Sequence, residues 1–334
     1  MTTTDHPLTV PVILLVFNRP EHTLQVIERV KLVKPPVLLV VADGPRPGRP
    51  EDKEACAQVR RLIETELDWK PEVLTNYAET NLGLRPRTVS GLTWAFDLVE
   101  QAIVLEDDNV PHPSFFRFCG ELLERYRDDT RIAAISGDNF QPQPFVCDAS
   151  YYFSKYPHCS GWACWRRAWR HFDDAMDCWP ALRETNWLRS LVGDPGQARF
   201  WMDQFDRAHR RELNSWATAW VFSCWSQSML AVLPRVNLVE NIGFGPSATH
   251  TKTDRGGVLR VPSGEIEFPL RHPSCVVINQ AADDFSQRKL FGPELLTVFG
   301  VAGISKDAAP RGLTERVRRW FGRKGTMGRI VQGD

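Results

Sequence analysis

The sequence has no C-x-x-C pair, although it holds eight cysteines, at 56, 119, 147, 159, 164, 178, 224 and 275. Thiols scattered this way fit neither a zinc ribbon nor a compact disulfide scaffold, and they predict free cysteines in a reducing compartment. There is no excess of charge of either sign, with Lys plus Arg and Asp plus Glu at 41 each. That balance gives no global ground for a nucleic-acid or polyanion partner, so any electrostatic specificity must be local. Long hydrophobic runs are also missing: Val10 to Phe17 is too short to cross a bilayer, and Met-Thr-Thr-Thr-Asp-His-Pro at the start lacks the basic region of a signal peptide. These absences predict a cytoplasmic protein without a transmembrane anchor. Internal repeats and low-complexity tracts are absent too, which removes solenoid and fibrous architectures.

What is present is an ordinary globular composition, 43% hydrophobic and 25% charged over 334 residues, enough for a large core. Val10–Phe17 reads as a first strand, and Asn18-Arg19-Pro20-Glu21 as a helix start with Asn18 as cap. Leu24, Ile27 and Val30 supply that helix's apolar face, and Pro35-Pro36 stops it. Val37–Ala42 is the next strand and ends at Asp43-Gly44. Helical spacing resumes over 52–67, a short strand over 73–76, a helix over 88–99, and an amphipathic helix over 114–127 precedes a strand at 131–136. Alternation of this kind predicts an α/β fold with a parallel, doubly wound sheet.

Residues 102–105 form an apolar strand that runs straight into Glu106, Asp107 and Asp108. Open α/β sheets bind ligands at the carboxyl ends of their strands. Three adjacent carboxylates repel one another, and a shared proton or a cation relieves that repulsion; a divalent metal would also connect them to a phosphate. A solvated acidic turn is the plainer reading of the same residues.

Beyond residue 140 the texture changes, and nine of the twelve tryptophans fall between Trp162 and Trp225. Aromatic faces suit sugar rings, although core packing is the commoner use of Trp. From Pro310, Leu313, Val317, Trp320 and Phe321 share a helical face amid Arg311, Arg316, Arg318, Arg319, Arg323 and Lys324. Such a basic amphipathic helix reads either as a membrane-surface segment or as a helix packed on the body with a solvated side.

Taken in order, Asn18-Arg19-Pro20, Ala42-Asp43-Gly44, Asn81-Leu82-Gly83, Glu106-Asp107-Asp108, Ile135-Ser136-Gly137-Asp138-Asn139 and Ser160-Gly161-Trp162-Ala163 resemble GT-A glycosyltransferases. The closer resemblance is to bacterial family-2-like transferases with a Glu-Asp-Asp form of the DXD motif, similar to N-acetylglucosaminyltransferase I. Trp216-Ala-Thr-Ala-Trp220 and Asn241-Ile-Gly-Phe-Gly-Pro-Ser-Ala-Thr-His-Thr251 look like the same group, so the likeness covers roughly residues 8 to 252. The resemblance implies a nucleotide-sugar-binding half over 1–140, a Trp-rich acceptor-binding half of the same domain over 141–285, and a C-terminal extension over 286–334 carrying the basic helix.

It also implies roles. Asn18 and Arg19 would meet the nucleotide and Asp43 the uracil ring. Glu106 and Asp107 would face the ribose and donor sugar, and Asp108 would bind the Mn²⁺ or Mg²⁺ that bridges two phosphates. Arg85, with Arg87, would add positive charge beside those phosphates. Gly161 and Trp162 would form the wall under the sugar, and His250 would complete a metal shell or touch a phosphate. The activity implied is an inverting, metal-dependent transfer from a UDP-sugar to a glycan or glycolipid acceptor, at or near the inner face of a membrane. An inverting transferase needs a general base, and the family's Asp falls where this chain has Ala217, which cannot accept a proton. Three alternatives follow: another carboxylate serves, with Asp203, Asp206 and Glu240 near in sequence; the register is shifted; or the chain binds its donor without transferring it. A sugar-phosphate nucleotidyltransferase would want a Gly-rich, Arg-containing loop after the first strand, and Asn18-Arg19-Pro20 is not one.

Overall fold

Val12–Val16 (β1) is apolar at every position and buried at every position, so it requires strands on both edges and cover on both faces. The computed structural model describes residues 8–143, 145, 147–244 and 261–291. After β1 come Pro20–Lys31 (α1), Val37–Ala42 (β2), Pro50–Thr65 (α2), Glu72–Tyr77 (β3), Leu84–Leu98 (α3), Gln101–Glu106 (β4), Asn109–Pro111 (β5), Pro113–Arg125 (α4) and Ile132–Ser136 (β6). The chain continues through Tyr151–Ser154 (β7), Trp162–Trp165 (β8), Arg166–Trp169 (α5), Trp179–Arg183 (α6), Trp187–Val192 (α7), Pro195–His209 (α8), Ala217–Ser226 (α9), Leu230–Pro234 (β9), Val239–Asn241 (β10) and Gln280–Leu290 (α10). Four of these helices, α1, α2, α4 and α8, open on a proline. Its fixed φ suits a first turn, where no backbone donor is lost.

The main sheet has the order β3-β2-β1-β4-β8-β6-β9-β7. β3, β2, β1 and β4 are mutually parallel; β8 is antiparallel to both β4 and β6, and β7 is antiparallel to β9. The α/β class with a mostly parallel sheet is therefore what the chain forms. Alternation along the strands sends Val12, Leu14, Val16, Leu38, Val40, Ile103 and Leu105 into one core with Val26, Ile27 and Val30 of α1, Val59 and Ile63 of α2, and Phe115, Phe118 and Leu122 of α4. The opposite side chain of β2, Val41, meets Gly91 of α3 instead. Helices thus cover both faces.

The start of α1 departs from expectation. Its cap is Arg19 without a side-chain bond, and Asn18 sends its amide to Asp52 Oδ1 at 2.7 Å instead. The buried stripe is Thr23, Val26, Ile27 and Val30, one position earlier than a face through Leu24. Thr23 tolerates burial because its hydroxyl donates to the Arg19 carbonyl at 2.9 Å.

The tryptophan-rich stretch is core. Of its nine tryptophans all but Trp187 are buried. Trp162 stacks on Trp216 with centroids 5.7 Å apart and lies 5.8 Å from Trp220, while Trp201 meets Trp225 at 4.8 Å. All eight cysteines are free thiols. Among the described residues no helix is long and apolar enough to cross a membrane. His250 and the basic segment from Pro310 lie outside the described residues.

Candidate active site

Every segment singled out around residue 106 converges on the carboxyl edge of the sheet. Because β1, β2, β3, β4 and β6 run the same way, the residues following them, Phe17–Arg19, Asp43–Gly44, Asn81–Gly83, Glu106–Asp108 and Gly137–Asn139, share that edge. The antiparallel β8 begins there, so Gly161 joins them.

Arg19 is the partner of the acidic turn. Its Nη2 pairs with Asp107 Oδ1, its Nε donates to Asp107 Oδ2 at 3.3 Å, and its Nη1 lies 2.9 Å from Asp108 Oδ2. The Phe17 amide adds a 3.4 Å bond to Asp107 Oδ2. Burial works against the Arg19 charge, and Asp107 and Asp108 outweigh it, so the guanidinium is held above its ordinary range. Three carboxyls share this one cation. Burial, reinforced by Asp108 and Asp107, pushes the Glu106 carboxyl up to about 8, and burial also raises Asp107 against the pull of Arg19.

Asn109 fixes the turn. It is buried, its Nδ2 donates to Asp108 Oδ1 at 3.0 Å, and its Oδ1 accepts from the Gly161 amide at 2.9 Å. The short pairing of β5 with β10 sets Asn241 opposite Asn109, and the Ile242 amide donates to the Asp108 carbonyl at 2.9 Å. Gly243 then passes so close that a Cβ there would overlap the Asp108 carboxylate, 2.7 Å from its Cγ. Gly243 falls in the singled-out segment 241–251 without a role of its own there, and Asn109 was not singled out; an Asn directly after an acidic strand end, able to bond both ways, was the available signal.

Other expected site residues have different partners. Asp43 accepts from Gly44 and Leu82 amides on Oδ1 (2.8 and 2.9 Å) and from Asn81 Nδ2 and the Gly83 amide on Oδ2 (2.8 and 3.1 Å). Its lone pairs are filled, so a uracil ring would have to displace one of these donors. Asn18 binds Asp52, whose carboxyl the Arg46 guanidinium holds down to about 2. Arg85 is buried and bonds Asp174 Oδ1 and the Asp174 carbonyl, both at 2.8 Å, and the Ala208 and Leu213 carbonyls at 3.3 and 3.2 Å. Four of its five N–H donors are thus spent within the fold, as a structural clamp. Arg87 is likewise buried and tied to Asn76. The Trp162 indole is 1% exposed and packs among Trp169, Trp216 and Trp220.

Ala217 opens α9, and its neighbour Trp216 stacks on Trp162 at the start of β8. Asp203 is exposed on α8, and Asp206 is engaged by Arg183 Nε at 2.8 Å and Trp179 Nε1 at 3.0 Å. Glu240 lies on β10 opposite Val110, nearer the acidic turn.

A divalent cation fits this edge in one way. Among the described residues no group of three or more His, Cys, Asp or Glu side chains converges as a ligand set. A hard cation held by one or two carboxylates completes its shell with phosphate and water oxygens. The Asp108 carboxylate, beside two more acids, suits a metal that arrives with a diphosphate.

No protein-family model matches this chain, and no curated protein matches it. Among solved structures, the mannosyltransferase PcManGT from Pyrobaculum calidifontis in complex with GDP-Man and Mn²⁺ is 16% identical over 48% of this chain and 45% of that one, less than half its length, with a TM-score of 0.33. A UDP-glucose pyrophosphorylase complexed with UDP-glucose is 10% identical over 67% and 90%, with a TM-score of 0.32. Mouse xyloside xylosyltransferase 1, in its apo form, is 16% identical over 80% and 100%, with a TM-score of 0.29.

Two substitutions check this geometry. Gly243→Ala is expected to destabilise the fold by about 1–3 kcal/mol through overpacking, and by no more than about half that in an Asp108→Ala background, as read from urea unfolding. Arg85→Lys should lower stability by about 1.5–3 kcal/mol, because an ammonium cannot serve four acceptors in the guanidinium's plane.

Proposed function

We propose that the chain is an inverting, metal-dependent glycosyltransferase that uses a nucleotide-diphosphate sugar, most simply a UDP-sugar, in assembling a glycan or glycoconjugate. The observation that carries this reading is the three-acid turn at the carboxyl edge, held by Arg19 and backed by Asn109. A diphosphate entering this edge has two complementary partners: the Arg19 guanidinium, which can leave Asp108 for a phosphate oxygen, and the Asp108 carboxylate, freed to hold Mn²⁺ or Mg²⁺. The metal, when bound, supplies Lewis-acid stabilisation of the departing diphosphate. Glu106 and Asp107 orient the ribose and donor sugar by accepting their hydroxyl hydrogens. Residues 1–140 hold the donor, 141–285 the acceptor, and the basic segment from Pro310 touches the inner membrane face where a glycolipid acceptor would lie.

Ala217 favours a second reading, a donor-binding protein that transfers slowly or not at all and serves as a scaffold. Its support is that the resemblance puts a carboxylate base where this chain has alanine.

Incubation with UDP-, GDP- and dTDP-sugars should reveal one donor that is bound and hydrolysed with Mn²⁺ and not with EDTA. Asp108→Ala should reduce that turnover by about 10²-fold or more; metal-dependent turnover at the wild-type rate in this variant would remove Asp108 from the site. The scaffold reading predicts a wild type that binds without hydrolysis and an Ala217→Asp variant whose turnover rises by about 10²-fold, the usual worth of a general base.

A further inference from the structure

Beside the acidic turn lies a buried pair that the donor site does not use. Asp138, two residues past β6, and His158, in the segment entering β8, are 2% and 8% exposed, and Asp138 Oδ1 sits 2.7 Å from His158 Nδ1. The far ring nitrogen, Nε2, is buried and has no hydrogen-bond partner among the described residues. A buried polar atom without a partner costs about 1–3 kcal/mol, so its position calls for a ligand or a task.

Both residues are held rigidly. Ser136 Oγ donates to the His158 carbonyl at 2.9 Å. The Asn139 backbone amide donates to Asn237 Oδ1 at 2.9 Å, and its side-chain Nδ2 donates to the Pro234 and Arg235 carbonyls at 2.8 and 2.9 Å. A run of short bonds joins the pair to the acids: the Gly137 amide to the Gly161 carbonyl at 2.7 Å, the Gly161 amide to Asn109 Oδ1 at 2.9 Å, and Asn109 Nδ2 to Asp108 Oδ1 at 3.0 Å. Cys159 stands between the two groups. Burial drives its thiol well up, and the Asp138 and Glu106 carboxylates push it the same way.

An Asp accepting from Nδ1–H fixes the tautomer that leaves Nε2 with a free lone pair, which is how a carboxylate turns an imidazole into a directed proton acceptor. We propose that Asp138 and His158 form the proton-accepting half of the site, His158 Nε2 being the general base and Asp138 its positioning partner. The inference rests on the transferase reading above. In the step it implies, the acceptor hydroxyl proton moves to Nε2 as the oxygen bonds to the anomeric carbon. The bond from that carbon to the diphosphate breaks with its electron pair leaving on phosphate oxygen. The imidazolium then returns the proton to solvent. Phe140, partly exposed with its ring 5.4 Å from the imidazole, is the cover that the acceptor displaces. The missing carboxylate at 217 ceases to be a gap.

The experiment uses the full-length protein, Mn²⁺ and the UDP-sugar selected above, with water as the acceptor. His158→Gln should lose about 10²–10⁴-fold in kcat with KM for the donor within about threefold. Asp138→Asn should lower kcat by at least about tenfold, also with KM kept. Added imidazole should restore part of the turnover of His158→Ala, which a merely structural role would not allow. If His158→Gln fails to fold, Asp138→Asn and the imidazole rescue decide in its place. Wild-type kcat in folded His158→Gln overturns the dyad and leaves the transferase standing. A wild type that turns over no donor overturns both.

Discussion

Three carboxyls at the end of one strand share a single guanidinium, and much of the carboxyl edge is arranged to make that tolerable. Adjacent acids in a poorly solvated place raise one another's proton affinity, as Glu106 shows at about 8. Arg19 offsets part of the cost from a position 88 residues away in sequence. Asn109 holds one Asp108 oxygen, and the backbone at Gly243 closes over the same carboxylate. The unmet negative charge is what suits the edge to a cationic or metal-bridged ligand.

The polar network beyond the acids continues the same logic. Asn109 passes the position of the turn to Gly161, and Gly161 passes it to Gly137. Gly161 has φ +65°, and a Cβ there would meet the Val239 side chain, so glycine is required for conformation and for space. The acids that end β4 and the Asp138–His158 pair are thereby kept in fixed relation. Catalysis by positioned groups depends on such fixity, since a misplacement near 1 Å can cost about 10²-fold.

The aromatic half provides the rigidity. Trp162, Trp169, Trp216 and Trp220 pack on one another, and Arg85 fastens the start of α3 to Asp174 and to the carbonyls of 208 and 213. Trp162 and Arg85, which the sequence offers as a sugar platform and a phosphate ligand, are buried and engaged within the fold. Chemistry alone does not separate the two uses; burial does.

Periodicity was enough to read most strands and helices between residues 12 and 136, because alternation and 3.6-residue spacing are local consequences of one buried face, but the three-residue β5 and the first turn of α3 were not read. The location of Glu106–Asp108 at a strand's carboxyl end was legible for the same reason. Helix limits near prolines and the register of α1 were less so, since Thr23 is buried through a bond to the Arg19 carbonyl that no pattern announces. Partner choice belonged to the tertiary structure. Arg19 meets Asp107, Arg85 meets Asp174, and His158 meets Asp138 across 88, 89 and 20 residues, and a charged side chain's sequence neighbours say nothing about which distant group shares its burial. The sequence by itself determined the layered α/β frame and its acidic strand end; folding decided which polar groups satisfy one another, and left His158 Nε2 buried without a partner among the described residues.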